Sequence, residues 1–277
     1  MKHPVITGVL KDPTGIVLIL LLLAMLAWRG VMFVWASHFQ NLGFDIQIWG
    51  ASYQILAFWG ALCGLIFSRY WGGWKSVMGR VNIYFALGLC AELFGNSISS
   101  YYTITGGTLP YPSIADLGFF ATIPLYTLGA FMLARAGGAK VQIRSFWNIA
   151  QIILIPVLML CISAYFFLQG YVFDWTQPLK VFLDFGYPLG DAIYISSAIL
   201  ALSLTWRTLG GIMRFPILTF IAALVAQYAA DFTFLYVNSQ GGFIVGGLTD
   251  HLYLLAYFLM AASLIQLAVT FRHIKET

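Results

Sequence analysis

Glu92 and Asp231 stand inside long apolar runs, each with a polar neighbour four residues away: Glu92 with Asn96, and Asp231 with Gln227. On a helix that spacing puts both members of a pair on one face. Three further carboxylates open apolar runs in related stretches: Asp116 in YPSIADLGFF, Asp191 in YPLGDAIYIS and Asp250 in GLTDHLYLLA. Each has an aromatic residue three positions later, Phe119, Tyr194 and Tyr253. A sixth group, Arg29, is a lone cation deep in the first apolar run. Carboxylates surrounded by hydrocarbon can hold a proton or cation, bind the polar end of a ligand or activate water, and an ionisable group there is a functional hypothesis by default.

Each has a structural alternative. Ser113 and Asp116 form the S-x-x-(D/E) capping box after Pro112. All three aspartates are expected in the first turn of a helix, where the positive end of the helix dipole favours an anion. Asp231 is expected near the C-terminal end of its helix, where the dipole disfavours it, roughly 9 Å below the boundary, with Glu92 at roughly 13 Å and Arg29 at roughly 12 Å. A polar layer is therefore expected in one half of the bundle, with Asp231 or Glu92 paired to Arg29. The candidate ligand-binding set is Asp231, Glu92, Arg29, Asn96, Gln227, Asp116, Asp191 and Asp250. No catalytic residue is assigned, and no metal site or cofactor is expected. His38 and His251 occupy span boundaries without an HxxxH or ExxH pair, and neighbours such as Asp250 and His251 diverge by about 100° on a helix. No lysine falls inside a span, which excludes a retinal Schiff base, and no pair of mid-span histidines could hold haem. Cys63, Cys90 and Cys161 lie within spans without CxxC spacing and read as small core residues.

The elements that position these groups follow from composition. Of 277 residues, 61% are hydrophobic and 9% charged, against roughly 25% charged in a soluble domain. The solvent of this chain is lipid. Eight apolar runs are long enough to cross a bilayer, at about 14–37, 47–69, 79–101, 113–135, 145–169, 187–206, 214–237 and 248–271. All of the 14 lysines and arginines except Arg29 and Lys180 fall at the termini or in the second, fourth and sixth connections. By the positive-inside rule that side is cytoplasmic. The fold class is an all-α membrane protein: eight transmembrane helices built as four helical hairpins, both termini cytoplasmic, in one polytopic domain over 1–277. The first span lacks a cleavage site and is expected to be a retained helix. A net charge of +4 is too small and scattered for nucleic acid.

The hairpins resemble one another. In 91–116 and 226–250, Glu92 aligns with Gln227, Asn96 with Asp231, Gly106-Gly107 with Gly241-Gly242 and Asp116 with Asp250. Repeats are expected at about 14–69, 79–135, 145–206 and 214–271, with 50–58 a degenerate version in which Gly50 replaces the aspartate and Tyr53 is the aromatic. The 17% aromatic content reads mainly as interfacial belt and packing, with some rings available to line an apolar pocket.

With Pro112, Ser113, Ala115, Asp116, Phe119, Pro124 and Leu125, the chain resembles the multi-helix membrane sensor regions that precede diguanylate cyclase, phosphodiesterase or histidine kinase output domains in bacteria. There, P-S-x-A-D-x-x-(F/Y)-(x)n-P-L runs recur at helix starts. The likeness covers roughly 80–270, and the expectation is of such a region without an output domain. Gly190-Asp191 and His251-Tyr253 bear a looser similarity to the eight-helix YhhN-type lysoplasmalogenases. The first resemblance implies a sensor of the bacterial cytoplasmic (inner) membrane. It would bind a small or lipidic ligand in an outward-facing polar-aromatic pocket, amid membrane lipids, and act on a cytoplasmic signalling partner. A proton- or cation-coupled transporter and a lysoplasmalogenase-like intramembrane hydrolase are the alternatives.

Overall fold

A computed structural model describes residues 8–136, 146–168, 171–205 and 213–276. Lys2, Lys140, Arg144 and Arg207, counted above among the basic residues, lie outside them. The described residues are mostly helical and contain no strand, with seven helices long and apolar enough to cross a membrane. We number the helices α1 (Pro13–Val34), α2 (Leu42–Ser52), α3 (Ile55–Ser68), α4 (Val77–Ile104), α5 (Ala115–Ala136), α6 (Phe146–Ser163), α7 (Pro178–Thr205), α8 (Arg214–Ser239) and α9 (Leu248–Glu276). The run expected at 47–69 is one crossing, 42–68, interrupted at Tyr53 and Gln54 between α2 and α3. In the run expected at 145–169, α6 passes into one wide turn over Ala164–Leu168, and its apolar part is shorter.

Six segments close a ring: α3 packs on α4, α4 on α5, α5 on α7, α7 on α8, α8 on α9, and α9 back on α3. Helix α1 lies outside against α3 and α9, and α6 outside against α7. The inner faces are built from small residues, because lipid tails supply no hydrophobic drive between helices and close approach must supply it. Ala57, Gly60, Ala61 and Gly64 let α3 sit against Ala261 and Leu264 of α9 and against Ala86 and Leu89 of α4. At the α4–α5 crossing a methyl on Gly118 would stand 2.5 Å from the Ala91 carbonyl oxygen, and one on Gly88 would stand 2.2 Å from the Tyr126 ring. Leu20, Leu23, Phe33 and Val34 of α1 face outward, as an apolar solvent allows.

Antiparallel packing gathers Lys11, Arg69, Lys75, Arg80, Arg135, Arg214, Arg272 and Lys275 near one end of the ring, the basic end. There Asp12 caps α1 through the Thr14 amide and pairs with Arg272 of α9. The opposite end carries two like turns. After α4 the Gly107 amide donates to the Tyr102 carbonyl across Gly106 (φ 74°), and after α8 the Gly242 amide donates to the Val237 carbonyl across Gly241 (φ 67°). Both are left-handed helix ends, a conformation that glycine adopts without a Cβ clash.

Candidate functional site

Inside the ring, Glu92 and Asp231 share one donor. The Gln227 Nε2 group donates to Glu92 Oε1 at 3.0 Å and to Asp231 Oδ1 at 3.1 Å. Asp231 also accepts from the Tyr194 hydroxyl at 2.7 Å and the Tyr253 hydroxyl at 2.9 Å. Glu92 accepts from the Tyr257 hydroxyl at 3.0 Å and, more weakly, from Asn96 Nδ2 at 3.5 Å, while the same Asn96 group donates to the Tyr257 oxygen at 2.9 Å. The network thereby ties α4, α7, α8 and α9. The sequence pairs Glu92/Asn96 and Gln227/Asp231 do share faces, and both faces turn inward.

Asp191 lies in the same interior, 6% exposed, near Asp231 and Glu92. Its side chain hydrogen-bonds to no described residue. The Tyr126 hydroxyl of α5, also near Glu92 and Asp231, is buried and unpartnered among the described residues. No cation from a described residue enters this interior. Buried charge has to be balanced by a partner or removed by protonation, so the proton or cation content of the cluster is coupled to its arrangement.

Three expectations fail here. Asp191 is not in a first turn: α7 begins at Pro178, not near 187, which places Asp191 roughly 20 Å along the helix. The reason is that Pro188 sits within the helix without ending it; ahead of the helix Asp174 accepts from the Thr176 amide at 3.0 Å and from Gln177 Nε2 at 3.2 Å, closing the turn that leads into Pro178. Nor does Arg29 pair with Asp231 or Glu92. Its Nε and Nη2 donate to the Gly246 carbonyl at 3.3 and 3.2 Å, and its guanidinium stacks 6.0 Å above the Trp49 ring. A backbone carbonyl and an indole face hold the cation where α1 stands outside the ring, beyond reach of the interior. Glu92 is also deeper than expected, roughly 18 Å from the end of α4, because that helix runs on to Ile104. The carboxylate cluster therefore lies near mid-helix rather than in one half.

Asp116 and Asp250 are first-turn residues and do cap. Asp116 Oδ2 accepts from the Ser113 amide at 2.6 Å, completing the capping box, and Asp250 Oδ2 accepts from the Gly246 amide at 2.5 Å. Each uses its second oxygen alike: the Tyr187 hydroxyl reaches Asp116 at 2.6 Å, and the Tyr53 hydroxyl reaches Asp250 at 3.3 Å. The same sequence interval separates Tyr53 from Tyr187 and Asp116 from Asp250. The counterpart of Tyr53 in this geometry is thus Tyr187, not Tyr194 as the alignment of Gly50 with Asp191 implies.

A relay connects Asp250 to the interior. The Tyr53 ring stacks on Tyr257 (6.1 Å between centroids), which stacks on Tyr253 (6.0 Å) and donates to Glu92. Toward the other side, fully buried Trp49 touches Tyr53 (5.5 Å) and His251 (5.1 Å) and is overlaid by Arg29. Beside Arg29 opens a cleft of about 300 Å³, lined by Leu26, Arg29, Gly30, Phe33 and His251. Trp49, Tyr53, Tyr126, Tyr187 and Tyr257 were missed as site residues. The available signal was the four-residue spacing of Tyr253 and Tyr257, which puts both hydroxyls on one face. Cys63 is buried, Cys90 partly so and Cys161 exposed, so only the first fits the expected core position. The described residues contain no group of three His, Cys, Asp or Glu able to hold a metal ion.

No family model matches this chain, nor does any curated protein or solved structure.

Proposed function

We propose that this chain is a receptor-like module of a bacterial cytoplasmic membrane, with eight spans in four related hairpins and the basic end facing the cytoplasm. It binds a small or lipidic ligand at the outward end and passes the change inward to a cytoplasmic partner. One observation carries the reading: an unbroken run of contacts leads from an open cleft to the buried carboxylates, through Arg29, Gly246, Asp250, Tyr53 and Tyr257 to Glu92. A ligand that pulls on Arg29 changes what the Gly246 carbonyl, and hence the Asp250 turn, must satisfy. Because the cluster ties four helices, a change in its hydrogen bonding alters how they pack. The twin glycine turns and the matched aspartate–tyrosine pairs support the repeated hairpins.

The test is a distance measurement between spin labels at the basic ends of α4 and α8 in lipid nanodiscs. Membrane-lipid and metabolite fractions are added in turn. A fraction that raises the melting temperature and shifts the label distance supports the reading, provided Tyr53→Phe keeps the first effect and loses the second. If no fraction does either, the reading falls.

A proton- or cation-coupled transporter is the second reading, favoured by the mid-helix position of Glu92 and Asp191 without a neighbouring cation. Flux into liposomes that Asp231→Asn abolishes would select it. A hydrolase is disfavoured by the Gln227 amide, which occupies the gap between the two carboxylates that an activated water would need.

A further inference from the structure

The cleft beside Arg29 has a chemistry of its own. Its polar side is the Arg29 guanidinium, whose Nη1 has no acceptor among the described residues, and the His251 imidazole. The His251 Nδ1 lies 2.7 Å from the Gly247 carbonyl oxygen, so Nδ1 donates and Nε2 is left to serve the cleft. The apolar side is Leu26, 43% exposed, and Phe33, 79% exposed, both on the outer face of α1. Arg29 sits roughly 7–8 Å from the end of α1, and His251 roughly 4–5 Å from the start of α9. Those depths match the boundary between hydrocarbon and headgroups. Trp49 holds both basic groups in place from behind, by contact with each.

The matching position elsewhere in the fold isolates what is special here. At the interval that relates Asp116 to Asp250 and Tyr53 to Tyr187, Arg29 corresponds to Ser163 and His251 to Leu117. Ser163 is buried and Leu117 is 68% exposed. The first turn of α5 thus carries its cap without a basic pair beside it, and capping an aspartate does not explain Arg29 and His251.

We propose that this cleft binds the phosphate of an anionic membrane phospholipid in the outward leaflet. Arg29 donates from Nη1 and Nη2, the His251 ring borders the headgroup, and an acyl chain lies along Leu26 and Phe33. The geometry suits a phosphate diester, since a guanidinium offers several donors in one plane to tetrahedral oxygens. The proposal rests on the receptor reading for its consequence, because Arg29 also holds the Gly246 carbonyl.

The test uses the full chain purified in detergent and titrated with phosphatidylglycerol or phosphatidylcholine, with bound lipid counted by native mass spectrometry. Phosphatidylglycerol is expected to be retained in preference to phosphatidylcholine. Arg29→Gln should weaken that retention by about tenfold or more, the loss expected for a charge-assisted contact. His251→Asn and Phe33→Ala should each weaken it less, and Arg69→Gln, an exposed cation at the basic end, should leave it unchanged. Should Arg29→Gln fail to fold, the His251→Asn and Phe33→Ala variants decide by the same measure. Equal retention in a folded Arg29→Gln protein, or an equal loss in Arg69→Gln, overturns the proposal. Lipid held at the cleft with no shift in the label distance would sink the receptor reading and leave this site standing. A distance shift driven by another fraction while the cleft stays lipid-free would do the reverse.

Discussion

Removing one hydroxyl, by Tyr257→Phe, tests whether the buried cluster is a connected network. The Tyr257 hydroxyl donates to Glu92 Oε2 at 3.0 Å and accepts from Asn96 Nδ2 at 2.9 Å, on a side chain with no exposure. Its loss strips Glu92 of a strong donor and leaves Asn96 with only the 3.5 Å contact to Glu92. A buried polar group stripped of its partner costs about 1–3 kcal/mol, and two are affected here. Tertiary hydrogen bonds in membrane proteins average nearer 0.6 kcal/mol, so a loss of about 2 kcal/mol is expected. Tyr253→Phe is the internal comparison, because Asp231 would keep Tyr194 and Gln227 as donors. It should cost about 1 kcal/mol or less. Reversible unfolding in mixed micelles, titrated with a denaturing detergent, gives both values. A double-mutant cycle of Tyr257→Phe with Asn96→Ala should show coupling of about 1 kcal/mol. Equal costs at 253 and 257 with no coupling to Asn96 would refute the network.

Gln227→Leu should destabilise more than either tyrosine change, by about 3 kcal/mol, because it leaves two facing carboxylates without their shared donor; adding Glu92→Gln should recover part of that in the same titration. Gly241→Ala should lower stability by about 1 kcal/mol through backbone strain alone, since nothing lies within 4 Å of the added methyl, and Gly241→Asn should cost less. Gly118→Leu should prevent folding or halve the yield of monodisperse protein on size exclusion, because its side chain would enter the Ala91 backbone. At the basic end, burial presses the Asp12 carboxyl upward, yet hydrogen bonds from Thr14 and Arg272 and the Arg272 charge outweigh it and hold the group below its usual value. Its stabilisation is therefore complete above about pH 4 and fades as pH falls through the lowered value; Asp12→Asn should flatten that part of the acid melting curve, and a slope unchanged in the variant would discount the pair.

The sequence alone determined the solvent, the helices and their charge asymmetry, because those follow from composition and from rules that act along one chain segment. The capping of Asp116 and the shared faces of Glu92/Asn96 and Gln227/Asp231 were legible for the same reason: partners three or four residues apart meet whatever surrounds the helix. Contacts between helices were not legible. Arg29 is an equal distance down its span whether it faces Asp231 or Gly246, and only the position of α1 outside the ring decides which. Asp191 followed a proline and looked like a cap, but a helix packed on both sides can run through Pro188, and this buried the carboxylate mid-helix. The donors to Asp231 and Glu92 come largely from tyrosines on α7 and α9, whose hydroxyls matter only once packing carries them across to α4 and α8. The tertiary structure thereby turned separate acidic residues into one cluster, since a bilayer leaves buried carboxylates no water and makes neighbouring helices their source of hydrogen bonds.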